Sequence, residues 1–251
     1  MFSKSRLPFA FQGELHDIHL VNFSVDPLDL LARFGPLPKP LKPRLVNGRA
    51  LISMVDVQLR NMRSTSRWIP FRFHYQHVAF RLLVEDSGYT DDPARNGVYF
   101  LKSFTNRPMI ETGGNLLTHF NFQTAHIQNF ASGLRLDTDD NFVAYDIDGP
   151  IDQAYLPTAI TDTVARIDRA YAVESAALWE TRILRDAWPL QAMHCNHFAT
   201  NFFSSARLEA VHKVVSPIDY TWLAPRKIEW AAAQTPLPTG SIVSKPQPAL
   251  S

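Results

Sequence analysis

The stretch Leu51-Ile52-Ser53-Met54-Val55-Asp56-Val57-Gln58-Leu59-Arg60 alternates along an extended chain, with Leu51, Val55, Val57 and Leu59 opposed to Asp56, Gln58 and Arg60. Successive side chains of a strand point to opposite faces, so this pattern predicts a β-strand with one buried face. Further along, Phe71 to Val84 is rich in Phe, Tyr and Val, and its apolar parity slips midway. Phe71, Phe73 and Tyr75 give way to Val78, Phe80, Leu82 and Val84. A β-bulge produces such a slip, and so does burial on both faces. Gly88 to Gly97 reads as a polar turn, and Val98-Tyr99-Phe100-Leu101-Lys102-Ser103-Phe104 as the next strand. Extended segments in succession joined by turns predict an antiparallel meander.

Working outward, Asp26-Pro27-Leu28-Asp29-Leu30-Leu31-Ala32-Arg33-Phe34-Gly35 has the marks of a short helix. Asp26 is placed to cap it, Pro27 suits its first turn and Gly35 its end. Pro36, Pro38, Pro40 and Pro43 then force an extended crossing. Pro40-Leu41-Lys42-Pro43 matches a PxxP pattern, although a connector explains these prolines without any partner. The acidic run Asp137, Asp139, Asp140, Asp146 and Asp148 predicts a surface hairpin. Thr161-Asp162 opens a helix with Val164, Ile167 and Tyr171 on one stripe. Ala172 to Arg182 fits either a continued helix or a new strand. Met193 to Phe203 and Ile218 to Trp230 are strand-like. We expect one domain over residues 1–230 and a proline-rich, loosely ordered tail over 231–251.

Composition narrows the function classes. The 251 residues are 45% hydrophobic and 12% aromatic, as in a globular protein with a substantial core. Twenty-five basic and 24 acidic residues leave a formal charge of +1, which gives no electrostatic case for nucleic acid or an anionic membrane. Residues 112–134 carry no charge, but Asn115, Asn121, Gln123, His126, Gln128 and Asn129 would each need desolvating in lipid, which argues against a span. Met1 to Pro8 lacks the apolar core of a secretory signal, and Cys195 is the single cysteine. A reducing, cytoplasmic location is the expectation. Exposed sheet edges make a homo-oligomer plausible.

Lys102 shares a strand face with Val98, Phe100 and Phe104. It is a candidate Schiff-base lysine or anion-binding cation. The plainer alternative is a stem lying on apolar surface with its head in water. His119 lies where Phe120 and Phe122 alternate with His119, Asn121 and Gln123, predicting one apolar face and one neutral-polar face. Such a polar face suits a pocket lining, with His119 as the proton-transfer group. Arg60 and Arg63 are candidates to hold a carboxylate, with a surface ion pair as the alternative. Three HxxH pairs, His16/His19, His74/His77 and His194/His197, raise the question of a metal. Positions i and i+3 point to opposite sides of a strand, so we expect no metal site and no cofactor.

Several blocks in order give the chain a resemblance to a known group. They are Val25 to Phe34 followed by Asn47-Gly48-Arg49-Ala50, then His77 to Val84, Gly97-Val98-Tyr99-Phe100-Leu101-Lys102, Trp188-Pro189-Leu190 and Ile218 to Trp230. The sequence resembles the uncharacterised, YqjF-like branch of the acetoacetate-decarboxylase-like superfamily. The resemblance implies a mainly β (α+β) fold, a cone-shaped or twisted antiparallel β-barrel with a few flanking helices and an internal pocket. In acetoacetate decarboxylase one of two adjacent lysines forms a Schiff base with a ketone. The comparable stretch, Gly114 through Ala125, places Phe122 and Gln123 there, and no two lysines are adjacent anywhere in this chain. The expected partner is therefore a small-molecule ligand, a keto or carboxylic acid, with Arg60, Asn121, Phe122 and Gln123 as binding candidates and Lys102 and His119 as catalytic ones. Three functions follow. The first is a small-molecule-binding domain that acts, if it is an enzyme, as a lyase or isomerase on a keto acid. The second is a non-catalytic ligand-binding or interaction protein that retains the barrel, and the third a metal-dependent enzyme using histidines.

Overall fold

The computed structural model describes residues 9–38, 41–66, 71–85, 96–152, 154, 158–174 and 177–228. Strand β1 (Phe11–Val25) runs directly into helix α1 (Pro27–Phe34). Asp26 Oδ1 accepts the Leu28 amide at 2.7 Å and Gly35 closes the helix at φ 72°, as the sequence predicts. Short β2 (Lys42–Pro43) and β3 (Leu45–Val46) precede the long β4 (Arg49–Ser64) and β5 (Arg72–Glu85). β6 (Asn96–Thr105) completes the antiparallel meander and leads into helix α2 (Pro108–Leu117). Then come β7 (Phe122–Thr124), β8 (His126–Asn129) and the acidic hairpin of β9 (Gly133–Asp137) and β10 (Phe142–Pro150). Helix α3 (Thr158–Ala165) is followed by β11 (Arg169–Glu174) and β12 (Ala177–Leu184). The described chain ends with β13 (Leu190–Thr200), β14 (Arg207–Val214), β15 (Ile218–Trp222) and β16 (Arg226–Ile228).

These strands form one mixed sheet that closes on itself. Pairings run β4–β5–β6–β11–β12–β15–β1, and β1 pairs back with β4, so the strands make a ring. The mainly β fold expected from sequence is present, with two parallel contacts, β6–β11 and β6–β7, in an otherwise antiparallel pattern. β1 is the branch point. Its first part, Phe11 to Leu15, pairs with β15, and its later part, His19 to Ser24, pairs with β14. The switch coincides with a register shift between His16 and His19, where Asp17 adopts φ 49°. β4 answers with a shift between Leu59 and Met62 and with Asn61 at φ 53°. Bulges bend strands, and these two turn the corner of the ring.

Beyond β1 the sheet continues through β14, β13, β10, β9 and β8, which fold back over the outside of the ring. Two cores result. One lies inside the ring, with Leu15, Val57, Ala79, Val98, Ala172 and Tyr220 contributed by its strands. The other lies between the ring's outer face and the extension, around Phe23, Met54, Phe80, Leu136, Tyr145 and Phe203. β4 is therefore buried on both faces rather than one. Asp56, on the face expected to meet solvent, is 6% exposed and accepts from Tyr145 Oη at 2.7 Å and Gln76 Nε2 at 2.8 Å. Of the two causes proposed for the parity slip in β5, burial on both faces is the one present: Tyr75 to Val84 is buried throughout, and the register with β4 is continuous from Tyr75 to Leu82.

Two further expectations are corrected, and one open reading is resolved. The helix expected from Thr161 starts at Thr158 and stops at Ala165, and Tyr171 belongs to β11. Ala172 to Arg182 resolves as the β11–β12 hairpin, because alternate residues of both strands are needed to line the ring. His119 is not on a strand: α2 precedes it, Asn121 sits at φ 52°, and β7 begins only at Phe122. Pro40, residues 88–95 of the expected turn and the tail at 231–251 lie outside the described residues. Among the described residues no helix is long and apolar enough to cross a membrane.

Candidate functional site

Inside the ring is a cavity of about 50 Å³, lined from β1 by Leu15, from β4 by Val55, Val57 and Leu59, and from β6 by Val98 and Phe100. Into these apolar walls project His77 and Arg81 of β5 and Tyr220 of β15, with Arg185 and Trp188 entering from the β12–β13 connection. β5 places His77 and Arg81 on the same face because they are four residues apart on a strand. Arg81 is 6% exposed. Its Nε donates to Ser53 O at 3.3 Å and its Nη2 to Ser53 Oγ at 3.1 Å, which leaves most of its five N–H donors uncommitted. Among the described residues no carboxylate lies within ion-pair distance of it.

A buried cation without a counter-charge is costly, and the electrostatics of the cavity reflect that. Burial, and then the nearby Arg185 charge, push the Arg81 guanidinium down to about 9, so it stays cationic at neutral pH. Burial lowers Arg185 to about 10, against the opposing pull of Asp168. Arg185 is partly accounted for structurally. It donates to Ala165 O at 3.1 Å and Ile167 O at 2.8 Å, covering the carbonyl end of α3. The Trp188 ring lies 4.4 Å from the Arg185 guanidinium carbon and 5.7 Å from that of Arg81. Burial, then the Arg81 charge, drops His77 to about 3, which keeps its imidazole neutral. Burial likewise raises Tyr220 well above its ordinary range and keeps its hydroxyl protonated. His77 Nε2, Tyr220 Oη and Trp188 Nε1 are all buried with no hydrogen-bond partner among the described residues. Unsatisfied buried polar atoms are rare in folded proteins, and three of them share this cavity with an uncompensated guanidinium.

A model for the family DUF2071, described as "Uncharacterized conserved protein (COG2071)", matches residues 12–225. The chain belongs to this family. The DUF2071 chain is similar in fold to an acetoacetate decarboxylase-like enzyme from Sphingomonas wittichii RW1, with a TM-score of 0.57 and 12% identity over 89% of this chain and 94% of that one. It is similar also to acetoacetate decarboxylase from Legionella pneumophila subsp. pneumophila str. Philadelphia 1, at a TM-score of 0.57 and 11% identity over 89% and 88% of the two chains. A third structure, reported under structural studies of acetoacetate decarboxylase, gives 0.52 and 11% over 90% and 91%. At such identities the likeness is one of fold, and the superfamily branch that the sequence resembles is borne out. No curated protein matches the sequence.

In this DUF2071 chain the residues singled out from sequence do not meet at one point. Lys102 stands on the outer side of β6 over an open groove, its Nζ donating to Gln123 Oε1 at 3.4 Å. His119 is buried, stacked on Trp179 with ring centroids 4.1 Å apart, and its Nδ1 is hydrogen-bonded to Glu174. Arg60 reaches Asp17 at 3.3 Å on the surface, and Asn121 is exposed. Phe122 is 2% exposed, with its ring 4.8 Å from that of His77. Of the HxxH pairs, His16 contacts Glu14, His19 contacts Tyr145, and His194 contacts Asn196. Cys195 has its thiol pushed up, chiefly by burial. Among the described residues no three His, Cys, Asp or Glu side chains gather as a metal site would require.

The residues that do converge, Arg81, Arg185, Tyr220 and Trp188, were not among the candidates, and His77 was weighed only as half of a metal pair. One signal was available. Arg81 is the single charge in His77-Val78-Ala79-Phe80-Arg81-Leu82-Leu83-Val84, a run otherwise fit for a strand buried on both faces. A long cation inside such a strand has nowhere to reach water.

Proposed function

We propose that the chain is a small-molecule-binding protein that takes a carboxylate-bearing compound into the ring, with Arg81 as the principal anchor. The observation that carries this reading is the buried Arg81 guanidinium, which has no counter-ion among the described residues and shares its cavity with His77 Nε2 and Tyr220 Oη, likewise unpartnered among them. Arginine presents parallel N–H groups that match a carboxylate, and in a dry site such charge-assisted bonds are the strong ones. Tyr220, held as a phenol, supplies a further donor, and the neutral imidazole of His77 completes the polar rim. The apolar walls favour a ligand whose remaining surface is hydrocarbon.

Decarboxylation through a Schiff base is not part of this proposal. Among the described residues none that lines the cavity is a lysine, and Lys102 faces the outer groove. The fold supports a pocket without supplying the amine that chemistry needs. Calorimetric titration of the full chain with butyrate and with acetoacetate tests the reading, using Arg81→Met as the variant. Binding by the native protein, weakened at least about tenfold in Arg81→Met, is the expected result, in line with the loss of a charge-assisted contact. Equal affinity in the two proteins removes Arg81 as anchor and the proposal with it.

A further inference from the structure

The ring cavity is small for a whole ligand. Its roughly 50 Å³ corresponds to about four waters at about 10–15 Å³ each, enough for a carboxylate and a few carbons. A second cavity of about 60 Å³ lies at the end of the ring beneath α2, lined among others by Phe11, Met62, Phe73, Ile110 and Leu117, and among the described residues none that lines it is charged. The two cavities are divided by a single aromatic layer. Trp222 lines both. Phe122 and Tyr75 line the outer one, and their rings stand 4.8 Å and 6.3 Å from the ring of His77, which lines the inner one.

Helix α2 roofs the outer cavity, with Ile110 and Leu117 packed against the core inside the ring. None of its residues is fully buried, and Met109 and Leu116 are 86% and 57% exposed. An apolar chamber under this helix, one aromatic layer away from the cavity that Arg81 lines, has the layout of a site for an amphiphile. From it we infer that the two cavities form one site for an aliphatic monocarboxylate of medium chain length. Its head lies at Arg81, and its tail passes Trp222 to lie under α2. A second carboxylate at the far end would meet no cation among the lining residues, so the class is mono- rather than dicarboxylate. The inference rests on the carboxylate reading of the ring cavity and extends it by assigning the rest of the ligand.

Titrating the full chain with butyrate, hexanoate, octanoate and octanedioate separates the two ideas. Burial of hydrocarbon tightens binding by up to about fourfold per methylene, so octanoate should exceed butyrate by roughly tenfold to two-hundredfold. Octanedioate should bind far more weakly than octanoate. Leu117→Trp fills the outer cavity, and in it the octanoate-to-butyrate ratio should fall to a few-fold. Ile110→Phe, a smaller filling from the same helix, supplies that ratio if Leu117→Trp binds neither acid. A native ratio near one, or a ratio unchanged by the fillings, overturns the tail assignment while butyrate binding lost in Arg81→Met leaves the head-group reading standing. Failure of every carboxylate to bind overturns both.

Discussion

Arg81 illustrates how a residue suited to binding is poorly suited to stability. It shares the cavity lining with Val55, Val57, Val98 and Trp188, and among the described residues only Ser53 is a hydrogen-bond partner of its guanidinium. Replacing a poorly compensated buried charge by an apolar side chain of similar length is often stabilising. Arg81→Met should therefore raise the urea midpoint of the ligand-free protein, by about 1–2 kcal/mol of stability, while carboxylate binding is lost. A fall in both would mark Arg81 as a structural residue instead. Tyr145 presents the opposite case. It is 2% exposed, and its hydroxyl donates to the buried Asp56 carboxylate, which also accepts from Gln76. Tyr145→Phe leaves the carboxylate short of one donor, and a cost of about 1–3 kcal/mol in equilibrium unfolding is expected. Arg81 was legible as an oddity, a charge in an apolar run. Asp56 was read as solvent-facing, because a strand's alternation is silent about what covers its second face.

Helix α2 is the element on which the outer cavity depends, and its two adjacent glycines have opposite consequences. A Cβ at Gly113 meets nothing within 4 Å, so Gly113→Ala should stabilise the helix by about 0.5–1 kcal/mol, through the backbone freedom that glycine forfeits on folding. A Cβ at Gly114 would stand 2.7 Å from Cδ2 of Phe122, a buried ring that packs against His77 and has little room to retreat. Gly114→Ala should lower the melting temperature and disturb the aromatic layer between the cavities. The two variants, measured side by side by thermal denaturation, should move in opposite directions. The sequence did not announce α2, because paired glycines lower helix propensity in a window that otherwise carries Pro108 at its start and Glu111 in its first turn. The neighbouring pattern at 119–123 imitated a strand, and only the left-handed Asn121 shows why it is not one.

On the scale of the whole molecule, β1, β4 and β5 form a wall shared by two cores, and each core holds its own buried polar chemistry. Besides His77, the wall's neighbourhood holds His212, fully buried on β14. Its Nδ1 accepts from Asn22 Nδ2 at 3.1 Å, so the proton is on Nε2, which donates to Thr161 Oγ1 of α3 at 3.1 Å. Burial lowers His212 to about 4, and burial with the Arg81 charge lowers His77 to about 3, both from an ordinary 6.5. Between those values and 6.5 the unfolded chain binds more protons than the folded one, so stability rises with pH there. The contribution is present in full above pH 6.5 and is lost as pH falls toward 4 and then 3. Urea midpoints between pH 7 and 4 should show this decline, and a His77→Leu, His212→Gln double variant should show a flatter one. An unchanged slope would place the acid sensitivity in other groups. By itself the sequence determined the strand-rich class, the capped helix α1, the meander of β4 to β6 and the lack of adjacent lysines, because each follows from local periodicity, turn chemistry or composition. Only the tertiary structure decided that β1 closes on β4, that the sheet doubles back to bury Asp56, and that Arg81, Arg185, His77 and Tyr220 look into one cavity. Those facts depend on pairings between segments as much as two hundred residues apart, and alternation along a strand fixes which residues share a face but not what that face will meet.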